Sequence, residues 1–140
     1  MSVTRLPEPL GTDEVAINRY ELAPGESFSA GMHTHLDQEE LFYVIRGTAT
    51  FETKSEPTAE SEPVEVGPDE AIRFAPGEYQ TGRNEGDEPV VALALGAPKG
   101  MTETRVPQPC PACGDSDVLA VSAADGFVLR CPDCAAEFEA

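Results

Sequence analysis

Hydrophobic and polar positions alternate over short runs between turn-forming residues, and no segment holds a sustained 3.6-residue apolar period. VAINRYEL (15–22), FSAGMHTH (28–35), LFYVIRG (41–47), TATFET (48–53), AIRFA (71–75) and VVALALG (90–96) read as strands by alternation or β-propensity. Between them PGES, RGT, VGPDE, APGE and NEGDEP carry turn chemistry. Many short strands at near-regular spacing predict an all-β sandwich or barrel. The continuous apolar run 90–95 predicts a strand buried on both faces.

Two stretches break the pattern. KSEPTAESEP (54–63) is polar, proline-containing and aperiodic, which predicts an exposed hairpin insertion. GAPKGMTETRVPQP (96–109), with three prolines and two glycines, reads as a linker. The expected organisation is a barrel domain over 1–98, a linker over 99–109 and a cysteine-bearing module over 110–140.

The chain has two histidines, and both fall in HTHLDQEELFYVIRG (33–47). On a strand His33 and His35 share one face, with Thr34 on the other. Glu40 opens the next alternating run, with Phe42 and Val44 on its face and Leu41, Tyr43 and Ile45 opposite. If a turn at LDQE folds this run back on the first, Glu40 meets both imidazoles. Two neutral imidazoles and a carboxylate suit Mn, Fe, Co, Ni, Cu or Zn, whereas Ca or Mg would take oxygen throughout. The competing reading makes both histidines ordinary polar strand residues, one of them bonded to Asp37. Tyr43, Tyr79, Arg73 and Glu39 are candidate acid–base groups whose spacing assigns no role. Arg73 and Arg83 read as surface cations, and Phe42, Tyr43, Phe51 and Phe74 as core or pocket lining.

At these positions the chain resembles the cupin superfamily, whose first motif runs glycine, spacer, His-x-His, three or four residues, Glu, six residues, Gly. His33, His35, Glu40 and Gly47 match that spacing, while Gly25 lies two residues farther from His33 than usual. DEAIRFAPGEYQTGRN (69–84) resembles the second motif. Asp69 stands at its glycine, Ala75-Pro76-Gly77 at its proline turn, Gln80 at its histidine and Asn84 at its asparagine. The resemblance implies a double-stranded β-helix, a jelly-roll barrel, over about 13–98. It also implies that His33, His35 and Glu40 hold a divalent transition metal (Fe, Mn, Ni or Zn). Gln80 would enter the same pocket, as a weak fourth ligand or as a hydrogen-bond partner for water or ligand. Cupins include dioxygenases, sugar-phosphate isomerases, decarboxylases, sugar-binding regulators and storage proteins, so the fold leaves the reaction open. Two readings stand: a metal-dependent oxygenase or isomerase acting on a small molecule, and a non-catalytic ligand-binding or regulatory protein.

CPACG (110–114) and CPDCA (131–135) place two CxxC pairs 17 residues apart, within zinc-ribbon spacing. Cys110, Cys113, Cys131 and Cys134 predict a closed structural zinc site. VLAVS and FVLRC would form a hairpin around AADG (123–126), and the metal would supply stability that so small a core cannot. Gly114 follows the first pair, whereas Ala135 follows the second and leaves that knuckle less ideal.

Charge narrows the partners. The sequence carries 9 Lys and Arg against 26 Asp and Glu, a formal charge of -17, which disfavours nucleic acid and anionic membranes. Within 107–140 Arg130 is the sole cation against six acids, so the ribbon is expected to meet a protein partner or the barrel. The scarcity of lysine and the even spread of acids resemble proteins of extreme halophiles. No apolar run reaches signal-peptide or membrane-span length, and with paired cysteines reading as metal ligands a cytoplasmic protein is expected. Homodimerisation through barrel edges is a further expectation.

Overall fold

The computed structural model describes residues 1–100, 103–115, 117–123 and 126–139. After β1 (Ser2–Arg5) and the one-turn helix α1 (Pro7–Leu10) come β2 (Ala16–Leu22), β3 (Thr34–His35), β4 (Glu39–Arg46), β5 (Ala49–Lys54) and β6 (Glu62–Val66). Then follow β7 (Ala71–Phe74), β8 (Tyr79–Arg83), β9 (Val90–Ala97), β10 (Thr104–Val106), β11 (Val118–Ala123), β12 (Gly126–Arg130) and β13 (Glu137–Phe138). The fold is mostly β, as the alternation predicts. Among the described residues no helix is long and apolar enough to cross a membrane.

One antiparallel sheet runs β1-β2-β9-β4-β7 and faces a second, β6-β5-β8. Between them lies an aromatic core in which Phe28 stacks on Phe51 at 5.6 Å, with Phe42 and Phe74 tilted against the same ring. The alternation in β4 holds: Phe42 and Val44 are buried, while Tyr43 and Ile45 are exposed on the outer face. Because aromatic rings fill the barrel's middle, an open site has room only at one end.

The third sheet, β13-β12-β11-β10-β3, places the C-terminal strands beside the histidines. Isolated bridges join Ser27 to Arg83 and His33 to Gln80, so the segment leading into β3 is stitched to β8. The barrel's second sheet therefore continues through this segment and β10 into the cysteine region. Its separate small core is Cys110, Val118, Leu129 and Cys131, with Val106, Ala120, Ala136 and Phe138 packed against it.

Three expectations need correction. FSAGMHTH is a strand only at Thr34–His35, because Ser29-Ala30-Gly31 bends and contributes no packed side chain to the core. The run 90–95 is buried on both faces only at its start: Val90, Ala92 and Ala94 lie in the core cluster and Val91 on the other face is buried too, but Leu93 and Leu95 beyond it stay half-buried. The stretch 99–109, read as linker, contains β10, a strand without apolar alternation that exists because partners flank it on both sides. The 54–63 insertion forms the β5–β6 hairpin, with 55–61 as its connection and Lys54, Glu62 and Pro63 already in the strands. Of the AADG turn (123–126), Ala124 and Asp125 lie outside the described residues.

Two backbone positions explain the motif residues. Gly47 has φ 75°, and a Cβ there would sit 2.4 Å from the Pro89 carbonyl oxygen. Asp69 occupies a left-handed φ of 63°, which Asp tolerates better than most residues. Its carboxylate also accepts a 2.8 Å bond from the Tyr43 hydroxyl.

Candidate metal centre and cleft

His33, His35 and Glu40 each offer a ligand atom, and these atoms lie within 4.8 Å of one another. The route differs from the hairpin expected from LDQE. β4 pairs with β7 and β9, not with β3, and Glu40 sits opposite Phe74 and Gly96 in the first sheet. His33 and His35 belong to the facing sheet, so carboxylate and imidazoles meet across the barrel interior. Each histidine is built into a ladder: His33 exchanges two backbone bonds with Gln80 (3.1 and 2.8 Å), and His35 pairs with Thr104.

The ring hydrogen bonds prepare both imidazoles. His33 Nδ1 lies 2.8 Å from the Gly31 carbonyl oxygen, which can only accept; Nδ1 carries the proton and Nε2 keeps its lone pair. His35 Nδ1 lies 3.1 Å from Thr104 Oγ1, leaving Nε2 for the centre. Burial lowers the pKa of His33; burial and then the neighbouring His33 push His35 down to about 4. Both rings are therefore neutral at neutral pH, the form that binds metal. Burial raises Glu40 to about 7, opposed by a hydrogen bond from Gln80.

Gln80 stands where its sequence position places it, buried and aimed at the same point. Its Nε2 donates to Glu40 Oε1 at 2.8 Å and lies 3.5 Å from His33 Nε2. A half-turn of the amide presents oxygen instead of nitrogen. Two neutral imidazoles with oriented second nitrogens, one carboxylate and an amide fit a divalent transition metal.

A cleft of about 770 Å³ opens over the histidines. Met32, His33 and His35 line it together with Thr104, Val106, Pro107, Pro109, Ala120 and Phe127. Among the described residues no Lys, Arg, Asp or Glu lines it.

The four cysteine sulfurs also lie within 4.8 Å of one another. Cys110 and Cys134 Sγ are 3.7 Å apart, Cys113 and Cys131 Sγ 3.4 Å. Zn–S bonds of about 2.3 Å in a tetrahedron give edges of about 3.8 Å, so the set fits zinc. The two knuckles match: Gly114 N–H bonds to Cys110 O at 2.9 Å and Ala135 N–H to Cys131 O at 3.0 Å. Both follow-on residues are left-handed, Gly114 at φ 82° and Ala135 at φ 62°. Only the alanine is strained there. Ala135→Gly is expected to stabilise this region by about 0.5–1 kcal/mol, the strain relief less glycine's extra unfolded-state freedom. The urea midpoint of the C-terminal amide signals reads the change, and an unchanged or lower midpoint would count against strain at this knuckle.

The model for the cupin domain family matches residues 18–96. The chain is a cupin. No curated protein sequence matches it. Among solved structures it is similar to a sugar phosphate isomerase of the cupin superfamily from Silicibacter pomeroyi. That pair is 22% identical with TM-score 0.67, over 95% of this chain and 77% of the other. It is also similar to BH2720 from Bacillus halodurans (22% identity, TM-score 0.56, covering 61% of this chain and 64% of that one). A third is a recombinant oxalate oxidase in complex with glycolate (18%, TM-score 0.59, 75% and 54%). The chain thus spans less than two thirds of the latter two.

In this cupin the other candidate acid–base groups lie off the cleft. Tyr43 and the Arg73–Glu39 pair (3.1 Å) are exposed, and the Tyr79 hydroxyl donates to Asp117. Arg83 pairs with Glu85 at 2.7 Å and Glu52 at 3.3 Å, as a surface cation does. Phe42, Phe51 and Phe74 are core rather than cleft lining. Sequence reasoning missed two neighbours of the centre. Tyr20, half-buried and 5.3 Å from Phe28 between ring centroids, has its pKa raised by burial and then by the charge of Glu40. Its signal was available, since it shares the inward face of β2 with Leu22. Thr104 had none, because nothing local marks its stretch as a strand.

Proposed function

We propose that this cupin is a metal-dependent oxygenase-type protein for a small, uncharged, largely apolar organic molecule. His33, His35 and Glu40 hold a divalent transition metal (Fe, Mn, Ni or Zn), and the four cysteines hold a structural zinc. The observation that carries the reading is the cleft: both imidazoles line it, the remainder is mainly apolar, and no ionic side chain among the described residues lines it. A phosphorylated sugar needs cationic partners for its phosphate. The activity named for the Silicibacter pomeroyi neighbour therefore finds no support in these walls. When bound, the metal supplies Lewis acidity and, as Fe(II), a place to activate dioxygen. The chain's own contributions are orientation of His33 by the Gly31 carbonyl, apolar cleft lining from Val106 and Phe127, and a hydrogen-bond donor at Gln80 beside Glu40.

A non-catalytic ligand-binding role is the second reading, and one observation favours it. The Gln80 amide already answers Glu40, and neither Tyr43 nor Tyr79 lines the cleft as a proton donor. Elemental analysis of the full chain purified from its native host separates the two. The oxygenase reading expects about one zinc plus about one further transition metal per chain, the second lost in His33→Ala with zinc retained. One zinc and no second metal would overturn it and leave the binding role.

A further inference from the structure

β3, which carries His35, takes its ladder partner from the C-terminal region. Thr104 pairs with His35 and Arg105 with Thr34, and Leu36 N–H bonds to Glu103 O at 2.9 Å. β10 then pairs with β11 and β11 with β12, after which comes Cys131. A second clamp lies on the Gln80 side. Asp117 accepts from the hydroxyl of Tyr79, the residue before Gln80, and its other oxygen lies 3.5 Å from Arg105 Nη1. The cysteine region thus grips the barrel next to two of the residues at the metal centre. It also supplies the cleft wall that includes Phe127, an aromatic ring left 45% exposed.

The two histidines differ in how they are held. His33 is oriented by a carbonyl two residues back in its own loop. His35 receives its ring partner from a residue 69 positions later. Without that partner Nδ1 loses its hydrogen bond, and rotation about the ring bond exchanges which nitrogen faces Glu40. We infer that the cysteine module is a working part of the barrel site: Thr104 on β10 is the positioning residue that accepts from His35 Nδ1 and aims Nε2 at the metal. This rests on the metal-binding reading above and goes beyond it, because it makes the site incomplete without residues outside the family-matched segment 18–96.

Thr104→Val tests it, since valine keeps the branched shape and the strand while removing the oxygen. Thr104→Ser restores the oxygen. Full-length protein with its cysteines zinc-loaded is titrated with Mn²⁺, a poor thiolate binder, and free Mn²⁺ is read by electron paramagnetic resonance. Thr104→Val is expected to weaken Mn²⁺ binding about 10-fold and Thr104→Ser to restore it, with zinc content unchanged in both. Long-range ¹H–¹⁵N spectra of the Mn-free protein give a second readout. His35 should hold the Nδ1–H tautomer in the parent and serine proteins and a mixture in the valine protein. A valine variant with parental tautomer and parental Mn²⁺ affinity overturns the inference. Should the parent bind no Mn²⁺, the Mn²⁺ form of the metal reading fails, and the tautomer comparison alone still decides whether Thr104 positions His35.

Discussion

Replacing Cys131 with serine should empty the four-thiolate centre and unfold the C-terminal sheet while the barrel remains folded. Structural zinc in small modules contributes roughly 10–16 kcal/mol of apparent binding free energy, which is also folding free energy. Among the described residues the core beneath it has four buried members, two of them the cysteines Cys110 and Cys131. Val118 and Leu129 cannot replace the ion; fully burying such a side chain contributes about 1.5–3 kcal/mol, less than ordering the surrounding strands costs. The barrel core has eleven buried residues in its own cluster, none of them shared with the cysteine region. Expected results are loss of stoichiometric zinc and collapse of amide protection over 118–123 and 126–130, with protection in β4 and β9 retained. Retained zinc together with retained protection would sink the idea. The same variant should loosen β10 and so disturb His35, linking this result to the Thr104 experiment.

Gln80→His is expected to raise the barrel centre's affinity for Zn²⁺ or Ni²⁺ by about 10- to 100-fold. Two effects point the same way. Imidazole is a better donor to these ions than an amide oxygen. The present amide also donates to Glu40 at 2.8 Å, a bond to a carboxylate that must be broken or turned before the metal can use that oxygen. A hydrogen bond to a charged group contributes about 1.5–3 kcal/mol, and 1.4 kcal/mol is tenfold in affinity. The backbone at position 80 is held by two bonds to His33, so the new side chain starts from the same place and direction. Competition with a chromophoric chelator on zinc-loaded protein measures the change. An affinity equal to the parent's would mean that position 80 does not limit metal binding.

Much of the candidate site was legible because its information is local. Two residues apart on a strand share a face, so His33 and His35 had to point together. Glu40 heads a run whose alternation sends Phe42 and Val44 inward, and all three are found there. Gln80 was found by its distance from the Pro76-Gly77 turn. The route by which Glu40 reaches the histidines was misread, because a hairpin through LDQE is the shortest connection, whereas the barrel instead inserts β4 between β7 and β9. Tyr43 and Tyr79 looked equivalent as acid–base candidates until the fold sent one to the outer face and the other to Asp117.

Side-chain type, facing and the two CxxC knuckles were determined by the sequence alone, since each depends on neighbours within a few residues. Tertiary structure alone decided the strand partners, and with them the site's walls. β10 carries no alternating pattern and is a strand because β3 and β11 offer it hydrogen-bond partners on both edges. That pairing brings Thr104 to His35 and Phe127 to the cleft, contacts no local pattern encodes. A backbone ladder is indifferent to the side chains it aligns; their meeting depends on which distant strands the packed core and the cysteine centre bring side by side.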